Sequence, residues 1–330
     1  MKSRLWLSAS FLLIAAGPGL ANPERVMEAR DYCYSQNYKA AAEKMEALIR
    51  ADDGPTGLFW HACLVQLLLY DSGDPALIDS FYRATDRAVE KCRQSLRKNP
   101  DDKWALLYLG MAELNRANCL SWQQRKLPAF RTMLRVPSTL SRAQRLDPGL
   151  IDTDFGLGVV EYFKAAADRY LFGLGLIGSR ERAYARVRRA QRGSGVLQPM
   201  AEFLLGFMMK EDRLYEGAAE CCYRLLAKYP GNRSARRLLR DIRLEQGRYR
   251  QALEVATGLE TDIAKAFPGN RYGIAENRLK MAQAWEKLGQ KDSARFRADQ
   301  IIAWEGYQGS TPWLACYVRD AKRLKARLDN

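Results

Sequence analysis

The side chains best suited to chemistry are few. His61 is the single histidine in 330 residues, which removes any site built on two imidazoles, and with it most catalytic zinc centres and zinc-finger pairs. It lies in Phe59-Trp60-His61-Ala62-Cys63, an apolar helical run where an imidazole packs rather than shuttles protons. Cys33, Cys63, Cys92, Cys119, Cys221, Cys222 and Cys316 contain no Cys-x-x-Cys spacing, so thioredoxin-like exchange is not expected. Either they are small buried apolar residues, or one or two bridges form, with Cys33–Cys63 or Cys92–Cys119 the first pairs expected. Cys221 and Cys222 point about 100° apart on a helix and should not bond each other. The 38 carboxylates include no pair whose spacing marks it as the acid and base of glycan cleavage. No P-loop, nucleophile elbow or calcium loop occurs, and Gly173-Leu174-Gly175 follows no strand. No catalytic residue, metal or cofactor is therefore expected. Asn232-Arg233-Ser234 matches a glycosylation triplet, a pattern common by chance.

Arginine is the residue that stands out. Lys and Arg number 53 against 38 acids, for a net charge of +15. The excess lies in the middle: residues 116–250 carry 26 basic and 13 acidic residues, and no acid occurs between Glu113 and Asp147. Arg182, Arg186 and Arg189 share one helix face, as do Arg236, Arg240 and Arg243. These ridges are either solvated faces of a basic protein or a surface for an anionic ligand, such as a lipid headgroup or an envelope polymer.

The elements that hold these residues follow from a period. Leu205, Tyr215, Ala218 and Leu225 return as Leu239, Tyr249, Ala252 and Leu259, each 34 residues later. Within each block an apolar helical spacing meets a polar turn, Glu211-Asp212-Arg213 or Gln246-Gly247-Arg248, and a second helix follows. Pro230-Gly231-Asn232-Arg233 closes the first block, and the same tetrapeptide returns as Pro268-Gly269-Asn270-Arg271. The second block is longer there by about one helical turn. The pattern resembles the tetratricopeptide repeat family: a small residue in the first helix, tyrosine and alanine opening the second, proline at the end. Residues 199–232 and 233–268 carry it best. Weaker copies begin at Tyr38 and Ala41, at Trp104 with Gly110, at Phe155 with Gly158, and at Gly289 with Ala294. Arg240 departs from the pattern, since it occupies the slot of the small residue.

The resemblance implies an all-α, TPR-like α-solenoid of antiparallel helix pairs over residues 22–330. It has irregular insertions at 116–146 and 164–178 and a capping helix at 312–328. First helices would line an inner surface. That register turns Trp104, Leu107, Met111, Phe155, Val159, Tyr162, Phe203 and Phe207 inward as an aromatic groove for a protein or peptide partner, unless the insertions fill it.

Lys2 and Arg4, an apolar run from Leu5 to Ala16, and Gly19-Leu20-Ala21 before Asn22 have the layout of a signal peptide over residues 1–21. No cysteine follows the cut, so a lipid anchor is not expected, and no later run reaches the ~20 apolar residues of a membrane span. The expectation is an exported, periplasmic scaffold that binds a protein or peptide, acidic if it meets the arginines. The anionic-ligand binder is the alternative. Export argues against nucleic acid as a partner.

Overall fold

The computed structural model describes residues 23–51, 54–170, 178–307 and 313–329, with backbone alone over 167–170. The expected signal peptide at 1–21 and the glycine-containing run at 171–177 lie outside the described residues. Every regular element described is a helix. The chain runs α1 (Pro23–Tyr34), α2 (Tyr38–Ala51), α3 (Thr56–Ser72), α4 (Leu77–Lys98), α5 (Lys103–Trp122), α6 (Lys126–Met133), α7 (Val136–Leu146) and α8 (Asp152–Tyr170). It continues through α9 (Arg180–Arg192), α10 (Gln198–Glu211), α11 (Tyr215–Lys228), α12 (Arg233–Glu245), α13 (Tyr249–Ala266), α14 (Arg271–Lys287), α15 (Lys291–Ile302) and α16 (Leu314–Asp329). Apart from α6 and α7, which both pack on α5, each helix packs on the next, and the first helices of successive pairs also meet, as α3 with α5, α5 with α8 and α10 with α12. None is long and apolar enough to cross a membrane.

Local chemistry explains the boundaries. Asn232 stops the chain's turn and caps α12, its side-chain oxygen accepting from Ala235 N at 2.8 Å; Asn270 does the same for α14 from Gly273 N at 3.0 Å. The turns inside the pairs need one left-handed residue each: Gln36, Gln124, Arg213, Gly247 and Gly289 all have φ between 57° and 75°. That conformation closes the carbonyls of the preceding helix. α13 has 18 residues against 14 in α11, the extra turn read from the sequence. The small-residue contact is also present. A Cβ on Gly206 would lie 3.3 Å from the Ala218 carbonyl oxygen, and one on Gly158 would lie 3.2 Å from that of Ala183.

The insertion at 116–146 becomes the end of α5, the short α6 and α7. Pro137 starts α7, where its missing N–H costs nothing, and α7 serves as partner helix to α5, with Leu140 against Gly110. The expected disulfides do not form: all seven thiols are free. Cys33 and Cys63 share one cluster, whereas Cys92 and Cys119 belong to different ones. Burial pushes the thiols of Cys63 and Cys92 up to about 12, so they behave as small apolar groups.

Candidate functional site

The aromatic stripe lands mostly inside. Leu107, Met111, Phe155, Val159 and Tyr162 are buried in one core that runs from Val26 in α1 to Cys221 in α11. Trp104 is half-buried beside it. Phe203 and Phe207 are half-buried at the seam between α10 and α12. The surface around α5 and α8 is packed by α3 and by α7, whose Leu140 lies against Gly110 and Gly156, so the 116–146 segment takes part in filling it. Phe59 stacking on Tyr108 at 4.7 Å shows α3 and α5 meeting there. His61 is half-buried, and burial, with Arg87 nearby, lowers its pKa and keeps the imidazole neutral.

Five of the six ridge arginines pair with carboxylates. Arg182 pairs with Glu161 at 2.6 Å, Arg186 with Asp154 at 2.6 Å and Arg189 with Asp154 at 3.2 Å. Arg236 pairs with Asp262. Arg243 donates to Gln246 Oε1 and to Tyr223 OH. Arg240 is 1% exposed. It occupies the slot usually held by a small residue because α14 brings Glu276 and Asn277 to meet it, and Arg240 Nη1 donates to Asn277 Oδ1 at 2.9 Å. The Asn277 amide in turn donates to the Ala256 carbonyl at 2.8 Å. Burial works against the charged Glu276, but the Arg240 charge beside it outweighs that and holds its carboxyl below the usual range.

This pair continues into a network that joins distant parts of the chain. Asp71, at the end of α3, accepts from Arg233 Nε at 2.9 Å and from Arg237 Nη1 at 2.8 Å, both on α12. Tyr38 OH donates to Asp71 Oδ2 at 2.9 Å. Burial alone would raise the Asp71 carboxyl; the two arginines reverse this and lower it. The Arg233 guanidinium also lies over the Phe267 ring at 5.3 Å. One residue before α12, Asn232 Nδ2 donates to the Tyr34 carbonyl, and Tyr229 OH donates to Asp31 Oδ1 at 2.7 Å. Trp122 stacks on Trp313 at 4.2 Å beside Tyr272. The stack therefore bends round until its first two pairs touch its sixth and seventh.

Sequence reading named Arg233 only within the repeated tetrapeptide and missed Asp71. Its signal is that Asp71 is the sole carboxylate in the 17-residue apolar helix α3. The glycosylation triplet is spent on this contact: Asn232 is buried, with its oxygen on the cap and its amide on Tyr34.

Two open clefts remain on the outer side of α9. One of about 380 Å³ is lined by Gln144, Asp154, Arg186 and Arg189. The other, about 580 Å³, is lined by Arg188, Arg189, Arg192 and Ile151. Asp154 is the one carboxylate lining either. Among the described residues, no His, Cys, Asp and Glu group could hold a metal ion.

No family model matches the chain, and no curated protein does. Solved structures do. PilW, described as a type IV pilus biogenesis factor, is 15% identical, covers 71% of this chain and 91% of its own, and has a TM-score of 0.46. YrrB, described as a TPR protein with an unusual peptide-binding site, is 15% identical, covers 71% and 99%, and has a TM-score of 0.43. A tetratricopeptide repeat protein from Parabacteroides merdae is 12% identical, covers 93% and 98%, and has a TM-score of 0.40. Likeness at this level adds nothing to the helix pairs already described.

Proposed function

We propose that the protein is an exported, non-enzymatic scaffold that docks another protein in the bacterial cell envelope. The observation that supports this most is the seam between α10 and α12. There Phe203 and Phe207, four residues apart on one helix, stay half-buried, whereas Leu107, Met111, Phe155, Val159 and Tyr162 on α5 and α8 are buried. Aromatic anchors of this kind, with Asp241 and Arg237 nearby in the repeat register, suit capture of a peptide or helix. A photoreactive residue at Phe207 should form one discrete adduct in intact cells, lost in a Phe203→Asp variant of unchanged helicity. No adduct, or the same adducts from a photoreactive residue at Phe296, would contradict it. Export rests on residues 1–21; the mature protein should be periplasmic and begin at Asn22, which its N-terminal sequence tests.

A second reading is favoured by the α9 clefts. Arg188 stacks on Tyr184 at 5.5 Å, and neither Arg188 nor Arg192 has a carboxylate partner among the described residues. An anionic envelope polymer fits such clefts. Its retention should fall steeply with salt and drop in Arg188→Ala/Arg192→Ala; retention indifferent to both would remove this reading.

A further inference from the structure

The short helix α6, with the αR turn that leads it into α7, has an apolar stripe on each of two opposite sides. Ala129, Met133 and Val136, spaced i, i+4, i+7, face the interior. Leu127 and Leu134, with Arg131 between them, occupy the same spacing about 200° round the helix, facing solvent. Among the described residues, Leu127 is 60% exposed and Leu134 40%.

The charges around this outer stripe are all of one sign. Arg125, Lys126, Arg131 and Arg135 are exposed, and none is paired with a carboxylate among the described residues. The stretch between Glu113 and Asp147 holds no acid, and of its seven cations Arg116 and Arg142 alone reach a carboxylate, on Asp86 or Glu113 and on Asp101. On α9 and α12, by contrast, Arg180, Arg182, Arg186, Arg189, Arg233, Arg236, Arg237 and Arg240 each reach a carboxylate. A surface helix with outward leucines set among uncompensated cations complements a bilayer with anionic headgroups: the leucines enter the headgroup boundary and the cations meet phosphates, with no fixed stereochemistry required.

We propose that α6 and its flanks dock the protein on an anionic phospholipid surface through Leu127, Leu134, Arg125, Lys126, Arg131 and Arg135. This goes beyond the scaffold reading: it states where the scaffold sits, not what it holds. A protein bearing an acidic face is the competing occupant. Two exposed leucines without an outward aromatic anchor favour the bilayer, since protein hot spots centre on Trp, Tyr or Arg in packed pockets.

Flotation of the purified mature chain with vesicles of phosphatidylcholine, with and without phosphatidylglycerol, tests it. Binding should need phosphatidylglycerol and fall with salt. Changing all four cations to Gln should reduce partitioning by at least a hundredfold, at about fivefold per charge. Changing Arg83, Lys98, Arg319 and Arg323, exposed elsewhere, should reduce it far less. Leu127→Ser/Leu134→Ser should reduce it about tenfold with helicity and melting temperature unchanged, since both side chains already face water. Equal losses in the two quadruple variants, or full binding without the leucines, would overturn the proposal. Photo-crosslinking from Phe207 reads the scaffold proposal separately, so either can fail alone.

Discussion

In the turn after α11, Pro230-Gly231-Asn232-Arg233 docks on the first helix pair; in the turn after α13, the identical residues 268–271 do not. Both copies end a helix and both asparagines cap the next one. Beyond that they diverge. Gly269 has φ +84°, the value a type II turn needs at its third residue. Gly231 has no positive φ, and a Cβ there would lie 3.3 Å from the Ser35 carbonyl oxygen. Asn232 Nδ2 donates to Tyr34, whereas Asn270 Nδ2 is buried with no partner among the described residues. Arg233 enters a buried pair with Asp71, while Arg271 stacks over Tyr307 at 3.5 Å. Four residues thus determine a stop and a cap. What the remaining donors do is decided by whichever helix the curvature of the stack brings alongside.

The largest effect should come from the docked copy. Asp71→Ala leaves Arg233 and Arg237 without their carboxylate and should cost about 3–5 kcal/mol, measured by denaturant unfolding. Arg271→Ala should cost only about 0.5–1 kcal/mol. Equal costs would erase the distinction.

Acid should open the docked copy first. The Asp71 and Glu276 carboxyls are held below their ordinary values of 3.8 and 4.5. Their contribution is complete above those values and is lost as pH falls through the lowered folded-state values. Melting temperature should therefore drop steeply below about pH 4, and the drop should be shallower in Asp71→Ala. An identical pH profile in the variant would show that Asp71 is not the group responsible.

The asparagines sharpen the comparison further. Asn270→Ala removes a cap, about 1 kcal/mol, but also removes a buried amide with no acceptor, so the net cost should fall below that figure. Asn232→Ala removes the cap together with the bond to Tyr34 and should cost about 2 kcal/mol. Gly269→Ala should cost about 1 kcal/mol from the positive φ. Its cost should be unchanged in an Asp71→Ala background, because the two sites share no partner. Thermal melts of the single and double variants check both.

Much of the fold is legible in the residues themselves. The 34-residue recurrence of Leu205, Tyr215, Ala218 and Leu225 places four helices, and the four residues added before Pro268 match the extra turn of α13. Arg240 stands out as too large for its slot, though its partners Glu276 and Asn277 lie on α14, in the next helix pair, and no local pattern points to them. The groove is less legible. The register turns Leu107, Met111, Phe155 and Val159 inward and all four are buried, but whether an inward residue meets solvent or another helix depends on how tightly the stack winds. Small angular differences at each pair accumulate into that winding, and no short motif encodes it. The outward arginines share this limit: helical spacing puts Arg182, Arg186 and Arg189 on one face, but Glu161 and Asp154, which neutralise them, come from a neighbouring helix.

The central claim is that the stack bends round until its first helix pair touches the end of α11, at the end of the fifth pair. Lys228 Nζ lies 3.6 Å from Asp31 Oδ2, and a zero-length carbodiimide couples only amines and carboxylates already in contact. After digestion and mass spectrometry, the closed stack predicts a cross-linked peptide joining Asp31 to Lys228, alongside Lys103 to Asp147, which are 2.7 Å apart. Recovery of the Lys103–Asp147 link without the Asp31–Lys228 link would mean an open rod, and the account would fail.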